Sequence, residues 1–441
     1  MQSHDDQMNT SFKSAMKNNP FGEFDCIVAG AGPAGFAAGI EAARNGLSVL
    51  LIEQMGFPGG VSTASLCPHI MGYSEAGKQL VKGIADEFAR ALDRIGCAAL
   101  NHGDSYEMPL GGKPITSSIV TTKPAIQLTM NSMLDDAGVK TLYYSSLIAV
   151  ERDSNAVRGV YVNCREGIIF IPARVFIDAT GDAHLVNRAG GETREFDPDE
   201  SMTKTLLMHL NGVTDFKPSD VKKRFAELSG RGEVPVKGQD KFMGLSIPMH
   251  PGEIHLNFTM TAGSAISSVE CTSMDKELRR QAFAGAEWFK KNFKGFENAY
   301  IADIADMIGI RSARNIVGRA TVTEKDILSG EPVAEPVVNS KCYYGDHYSK
   351  SFSASWAKSN GVRAVPFRAM QPVTLSNVIA AGRNISSEPR VITTFRLMAT
   401  CMGIGQAAGI TAAHSLKTNT DANEVPYLSV CDAFREKGIL L

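Results

Sequence analysis

The chain has 441 residues, 44% of them hydrophobic, which is enough for at least one large core and, at ordinary domain sizes, for two domains. A formal net charge of -2 and a pI of about 6.5 give no basis for nucleic acid or an anionic membrane as the main partner. The 8 Cys are scattered and form no C-x-x-C pair, which argues against a zinc ribbon or an iron–sulfur cluster, and points to a reducing, cytoplasmic setting.

Residues 1–22 are polar and read as a flexible N-terminal arm without the apolar core of a signal peptide. The next segment is the most informative. Cys26–Ala29 reads as a short buried strand, and Gly30-Ala31-Gly32-Pro33-Ala34-Gly35 follows it into a helix. Gly30 makes the turn, Gly32 lets a pyrophosphate approach the backbone, and Gly35 lets the helix pack close to the strand. The helix directs its first N–H groups at the phosphates. A second apolar run, Leu47–Ile52, ends at Glu53, whose carboxylate suits an unphosphorylated ribose; this leaves NAD and FAD open.

Gln54 to Thr63 form a Gly/Pro-rich loop in which Gly59 and Gly60 let the backbone run against a ligand, with Gln54 and Val61 beside them. Helices are predicted over Gly77–Ile95 and Pro124–Ala137, with polar loop at residues 101–118 between them. Short β-type runs follow at Thr141–Tyr144, Ser146–Glu151, Val157–Asn163 and Ile168–Ile171. Val175–Asp178 is a further buried strand, ending in Ala179-Thr180-Gly181, small residues that can lie beside a ligand at a sheet's carboxyl edge. Over residues 190–345 this rhythm gives way to turns, mixed charges, a strand-like Glu253–Met260 and a helix at Asp275–Phe293. Val378-Ile379-Ala380-Ala381-Gly382-Arg383-Asn384 is a third Gly-ended strand, and a Gly/Ala-rich helix runs from about Phe395 to Leu416. No apolar run is long enough for a transmembrane segment.

Three Gly-ended strands in this order, with an insert between the second and third, resemble the FAD-dependent oxidoreductases of the glutathione-reductase-like superfamily. Within it the chain looks like the branch of fumarate-reductase-like and succinate-dehydrogenase-like flavoproteins. The carrying residues are Gly30–Gly35, Glu53, Gly59-Gly60, Ile177–Ala183, Arg311–Gly318, Pro366–Arg368, Val378–Asn384 and Arg396–Gly409. The resemblance implies an α/β fold: a Rossmann-like FAD-binding domain at 23–189 and 366–441, with an inserted α+β substrate or capping domain at 190–365. It implies non-covalent FAD, held by Gly30, Gly32, Pro33, Ala34 and Gly35 at the pyrophosphate and by Glu53 and Gln54 at the ribose. Gly59, Gly60, Val61, Ala179, Thr180, Gly181, Gly382 and Arg383 would lie along the ribityl and phosphate region. Ala399, Thr400 and Cys401 would aim a helix N-terminus at the flavin pyrimidine, where reduced flavin carries negative charge.

Hydride chemistry belongs to the flavin, so the protein must supply substrate orientation and a proton donor or acceptor. His69 and Tyr73 follow the loop expected near the flavin ring, His347 sits in an aromatic polar cluster, and Arg396 flanks the last helix; these are the catalytic candidates. Arg311 and Arg314 suit either an anionic ligand or carboxylate anchors, and Arg390 is a further cation near the last helix. Cys67 and Cys401 read first as small buried hydrophobes. His250–His255 reads as a strand in which a metal site is the lesser reading. The expected activity is hydride transfer between FAD and a small organic substrate, with an electron-acceptor protein or a quinone as candidate redox partner and an oligomer left open. A flavin monooxygenase, suggested by Gly181-Asp182, and the flavoprotein subunit of an electron-transfer complex are the alternatives.

Overall fold

The computed structural model describes residues 16–239, 241–341 and 361–440. The first βαβ unit is β1 (Phe24–Ala29), α1 (Pro33–Arg44) and β2 (Val49–Ile52). Along β1, Cys26 and Val28 face one hydrophobic cluster while Ile27 and Ala29 face another, as period-two alternation requires of a strand buried on both faces. Two helices follow, α2 (Gly83–Arg94) and α3 (Lys123–Asp136). The first is shorter than its apolar spacing predicts. Ser74–Glu75 and Lys78–Gln79 pair as a hairpin instead, turned by Ala76 and Gly77 at φ of 47° and 76°, so helical backbone begins only at Gly83. Thr122 caps α3 by accepting from the Ala125 N–H.

The chain then adds β3 (Lys140–Leu142), β4 (Ser146–Asp153), β5 (Ala156–Cys164) and β6 (Gly167–Asp178). The two separate runs read at Ile168–Ile171 and Val175–Asp178 are one continuous strand. Its first half pairs antiparallel with β5 as far as Pro172, and from Ala173 it pairs parallel with β1. Pro172, lacking an N–H, stands where β6 passes from one partner to the other. Much later, β11 (Val378–Ala380) pairs parallel with the end of β6. The parallel order is therefore β3–β2–β1–β6–β11, with the antiparallel meander β4–β5–β6 covering one face.

Between β6 and β11 lies a second sheet with its own core. It consists of β7 (Met208–Asn211), β8 (Gly244–Ser246), β9 (Ile254–Leu256) and β10 (Tyr300–Ile304) in antiparallel order β8–β9–β7–β10. Helices α4 (Pro218–Gly230) and α5 (Ser268–Asn292) pack on it around Phe225, Phe258, Phe289 and Phe293. Helix α5 starts earlier than its apolar spacing predicts because the Ser267 side chain caps it at Glu270. The last long helix, α6 (Met398–Thr418), is preceded by a one-turn helix at Ile392–Phe395 and lies against α1. Among the described residues no helix is long and apolar enough to cross a membrane.

Candidate functional site

Gly30 takes φ of 96°, and a Cβ there would stand 2.6 Å from the Ala179 carbonyl oxygen. The β1 turn is thus pressed against the end of β6. A Cβ on Gly35 would stand 1.8 Å from the Gly30 carbonyl oxygen, so only glycine closes this turn onto α1. Gly32, by contrast, has nothing within 4 Å of its Cβ position. It is the N-cap of α1, followed by Pro33 and Ala34, and no side chain caps the helix there. Open space before uncapped N–H groups is the arrangement an anion requires.

The loop after β2 comes back to this turn. Gly59, at φ of 111°, donates its N–H to the Ala31 carbonyl at 2.8 Å, and a Cβ on Gly60 would lie 3.1 Å from the Gly32 Cα. Glu53 is buried, with its carboxylate accepting from the Ala31 and Met55 N–H groups at 2.8 and 2.9 Å. Burial outweighs those bonds and raises its pKa above the ordinary glutamate value. Of its roughly four lone-pair sites at least one remains for another donor. Gln54 is exposed at the rim.

At the end of β6, Ala179 donates its N–H to Ala29, and the Thr180 hydroxyl bonds the buried Asp178 carboxylate at 2.7 Å. Gly181 takes φ of 82° and sits under Arg383. After β11, Gly382 takes φ of 104°, and Arg383 makes a two-pronged pair with Asp182 at 2.5 and 2.8 Å. That pair ties the second and third Gly-ended strands together across 201 residues. At the start of α6, no side chain caps Leu397. The Ala399 N–H reaches the Met71 carbonyl, and Thr400 shares a 2.9 Å hydrogen bond with Ser340.

Beside these segments opens a cavity of about 380 Å³. One wall comes from the loop after β2 (Val61, Ser65, Cys67) and the approach to α6 (Thr393, Arg396, Leu397, Met398). The second sheet and its flank contribute further lining (Phe242, Met243, Leu245, His255). His69 lies in this cavity, on a two-residue strand paired with Ile119–Val120, and shares a 2.5 Å hydrogen bond with the Ser118 hydroxyl. Burial pushes its pKa down to about 4, so the ring is neutral at ordinary pH.

The structure brings His69, Arg396, Arg383 and Val61 together in this one space. Tyr73 is not part of the lining: it is fully buried and its hydroxyl donates to the Ala85 carbonyl at 2.8 Å. His347 lies outside the described residues. Arg311 lines the cavity and donates to the Thr203 carbonyl, whereas Arg314 pairs with Glu195 at 2.5 Å across a short two-stranded sheet. Burial raises the thiol pKa of Cys67 and pushes that of Cys401 up to about 12, so both behave as protonated, weakly reactive groups.

Two groups near the cavity do not stand out from the sequence. His255 is 6% exposed, stacks on His209 at 4.5 Å, and has no hydrogen-bond partner for Nδ1. The alternation of residues 250–255 signals its strand, but only the pairing of β7 with β9 brings the two rings together. Lys204 is fully buried, its ammonium donating to the Ser201 hydroxyl and the Gly263 carbonyl, and burial next to Arg383 pushes its pKa down to about 7. Among the described residues no group of His, Cys, Asp and Glu is arranged to hold a metal ion.

A Gly-lined turn at a parallel sheet's carboxyl edge, a distal acid and a cavity alongside define a dinucleotide-dependent enzyme. The family model for FAD dependent oxidoreductases matches residues 25–436, and the chain belongs to that family. Its cofactor is FAD, and the open, uncapped α1 N-terminus facing Gly60 fits the pyrophosphate of such a group. The chain is similar to Digeranylgeranylglycerophospholipid reductases 1 and 2 of Methanopyrus kandleri. Identity is 25% over 51% of this chain and 61% of the first, and 28% over 41% and 43% for the second. The chain thus spans about six-tenths, or less, of these relatives' length. The fold is also that of a geranylgeranyl bacteriochlorophyll reductase-like protein from Thermoplasma acidophilum, with a TM-score of 0.50, 15% identity, and coverage of 96% of this chain and 85% of that one.

Proposed function

We propose that the enzyme transfers a hydride between FAD and a carbon of a small organic substrate held in the cavity beside His69. The relatives named above are reductases, which supports this reading and favours a different branch from the fumarate-reductase-like one suggested by the sequence. The single observation that carries it is the cavity itself, which is lined by the loop after β2, the start of α6 and the second sheet. In this reading residues 23–189 and 366–441 hold FAD without a covalent bond, and 190–365 form the capping domain.

When bound, FAD would supply a ring that takes a hydride from a substrate carbon in its oxidised state or gives one in its reduced state. The chain's own residues do the rest. Gly30 to Gly35, Glu53, Gly59, Gly60, Ala179 to Gly181, Gly382 and Arg383 hold the dinucleotide, and the uncapped end of α6 adds a partial positive charge at its ring end. Phe242, Met243 and Leu245 exclude water from the substrate's apolar surface. His69, a neutral imidazole held by Ser118, is placed to take the proton released when a hydride leaves the substrate carbon.

The test is anaerobic mixing of the FAD-loaded protein with a panel of acids, alcohols and amines. At least one class should bleach the oxidised flavin, and His69→Asn should slow that bleaching about 100-fold while FAD content is kept. Oxygen uptake driven by NAD(P)H with hydroxylation of the substrate would replace this reading with a monooxygenase. Full bleaching at the wild-type rate in His69→Asn would remove His69 from the reaction.

A further inference from the structure

We infer that Tyr144 is the platform on which the adenine of FAD stacks. The inference is independent of the substrate and of the hydride step, and rests on the placement of the adenosine ribose at Glu53. Tyr144 lies between β3 and β4 and is 64% exposed. Its backbone takes φ of 53°, in the left-handed region, where a bulky side chain crowds its own main chain. Such a conformation persists only where the surroundings enforce it. Here the Tyr144 N–H donates to the Met55 carbonyl and the Ser145 N–H to the Glu53 carbonyl, both at 3.0 Å. The strained residue is thereby tied to the segment that carries the ribose acid.

The ring has a seat of its own. A Cβ on Gly56 would stand 2.4 Å from both Cζ and Oη of Tyr144, so the phenol end lies directly against Gly56. Gly56 is not in the left-handed region, so its own backbone does not require glycine; the tyrosine ring does. Among the described residues this ring makes no aromatic contact and its hydroxyl no hydrogen bond. Backbone strain and a dedicated glycine therefore hold an exposed aromatic face that no contact within the described chain uses. Neither Tyr144 nor Gly56 lines the cavity beside His69, which separates this ring from the substrate. Adenine is bonded directly to the ribose that Glu53 would hold, so the base comes within reach of Tyr144. A purine offers a flat π-face, and stacking on an exposed aromatic ring needs no further hydrogen-bonding group.

The full chain, freed of FAD, is titrated calorimetrically with FAD and with ADP, which keeps the adenine and diphosphate and lacks the flavin. Tyr144→Ala should weaken both by about tenfold to a hundredfold, and Tyr144→Phe, which keeps the ring, should bind both as the wild type does. Tyr144→Gly suits left-handed backbone, so it should weaken both ligands while leaving the melting temperature of the FAD-free chain unchanged or higher. A tyrosine that only braced the turn would lower that temperature when removed. Gly56→Ala pushes the ring from its seat and should also weaken both ligands. Unchanged affinity in Tyr144→Ala, an equal loss in Tyr144→Phe, or no measurable ADP binding by the wild type would overturn the inference. Affinity that falls in Tyr144→Ala but not in Glu53→Gln would instead remove Glu53 from the ribose and leave the stacking ring standing. None of these readouts needs turnover, so they hold whether or not any substrate bleaches the flavin.

Discussion

His255 shows how one buried ring couples the site to stability. Its pKa is pushed down to about 3 by burial, with a smaller push from His209, against an ordinary value of 6.5. Between those two values the unfolded chain binds a proton that the folded chain refuses. Folding stability contributed by this group is therefore fully present above about pH 6.5 and falls as the pH drops toward 3, by up to about 1.4 kcal/mol per pH unit. His255→Asn removes the titrating group while keeping a polar side chain of similar reach. Urea unfolding of wild type and variant from pH 7.5 to about 4.5 should give a shallower loss of stability for the variant by roughly that slope. Parallel profiles would mean that His255 takes up its proton in the folded state and that its burial is not what the structure shows. His69 is shifted in the same direction, and its neutral form at ordinary pH leaves a ring nitrogen able to accept a proton.

At the scale of elements, α1 and α6 pack backbone against backbone in the molecule's first core. A Cβ on Gly405 would lie 2.0 Å from the Ala34 carbonyl oxygen, and one on Gly409 would lie 2.7 Å from that of Ala38. The obstacle is helix backbone, which cannot swing aside as a side chain does, so Gly405→Ala must separate α6 from α1. The expected loss is about 2–3 kcal/mol, and FAD affinity should fall with it because α1 carries the Gly32 end of the cradle. Gly230, at the end of α4, has nothing within 4 Å, so Gly230→Ala should be neutral or stabilising by up to about 1 kcal/mol. Equal melting temperatures for the two variants would refute this account of the packing. The sequence shows the small residues of α6 and the three strands that end in glycine, because each is a local pattern of apolar run and Gly. It does not show that β6 is a single strand, since Pro172 looks like an interruption until β5 and β1 are both in place. Nor does it show the cavity wall. His255 and Phe242 line the same cavity as His69 although more than 170 residues separate them from it in the chain, and no local spacing records that.

For the whole molecule, the segments assigned to FAD are dispersed along the chain and meet only when the parallel sheet is complete. Residues 30–35 come from the first βαβ unit, 59–61 from the loop after β2, 179–181 from the end of β6, 382–383 from the end of β11, and 399–401 from α6. A ligand that binds only the assembled arrangement stabilises the fold in proportion to the logarithm of its free concentration. Removing FAD should therefore lower the melting temperature, and adding it back should raise it, with a further rise in proportion to the logarithm of free flavin even beyond saturation. Amide hydrogen exchange locates the effect. Protection should rise at 30–35, 59–61, 179–183, 382–384 and 398–402 together, since loss of any one opens the same cradle. Amides of β7 to β10 and α5, held by their own aromatic core around Phe225 and Phe289, should gain much less. Protection confined to residues 30–35 would mean that the first glycine turn alone carries the dinucleotide, and it would remove Gly181, Arg383 and the start of α6 from the cofactor site. An equal gain across the second sheet would mean instead that cofactor and cap are one cooperative unit, so that closing the cavity over substrate is coupled to loading FAD.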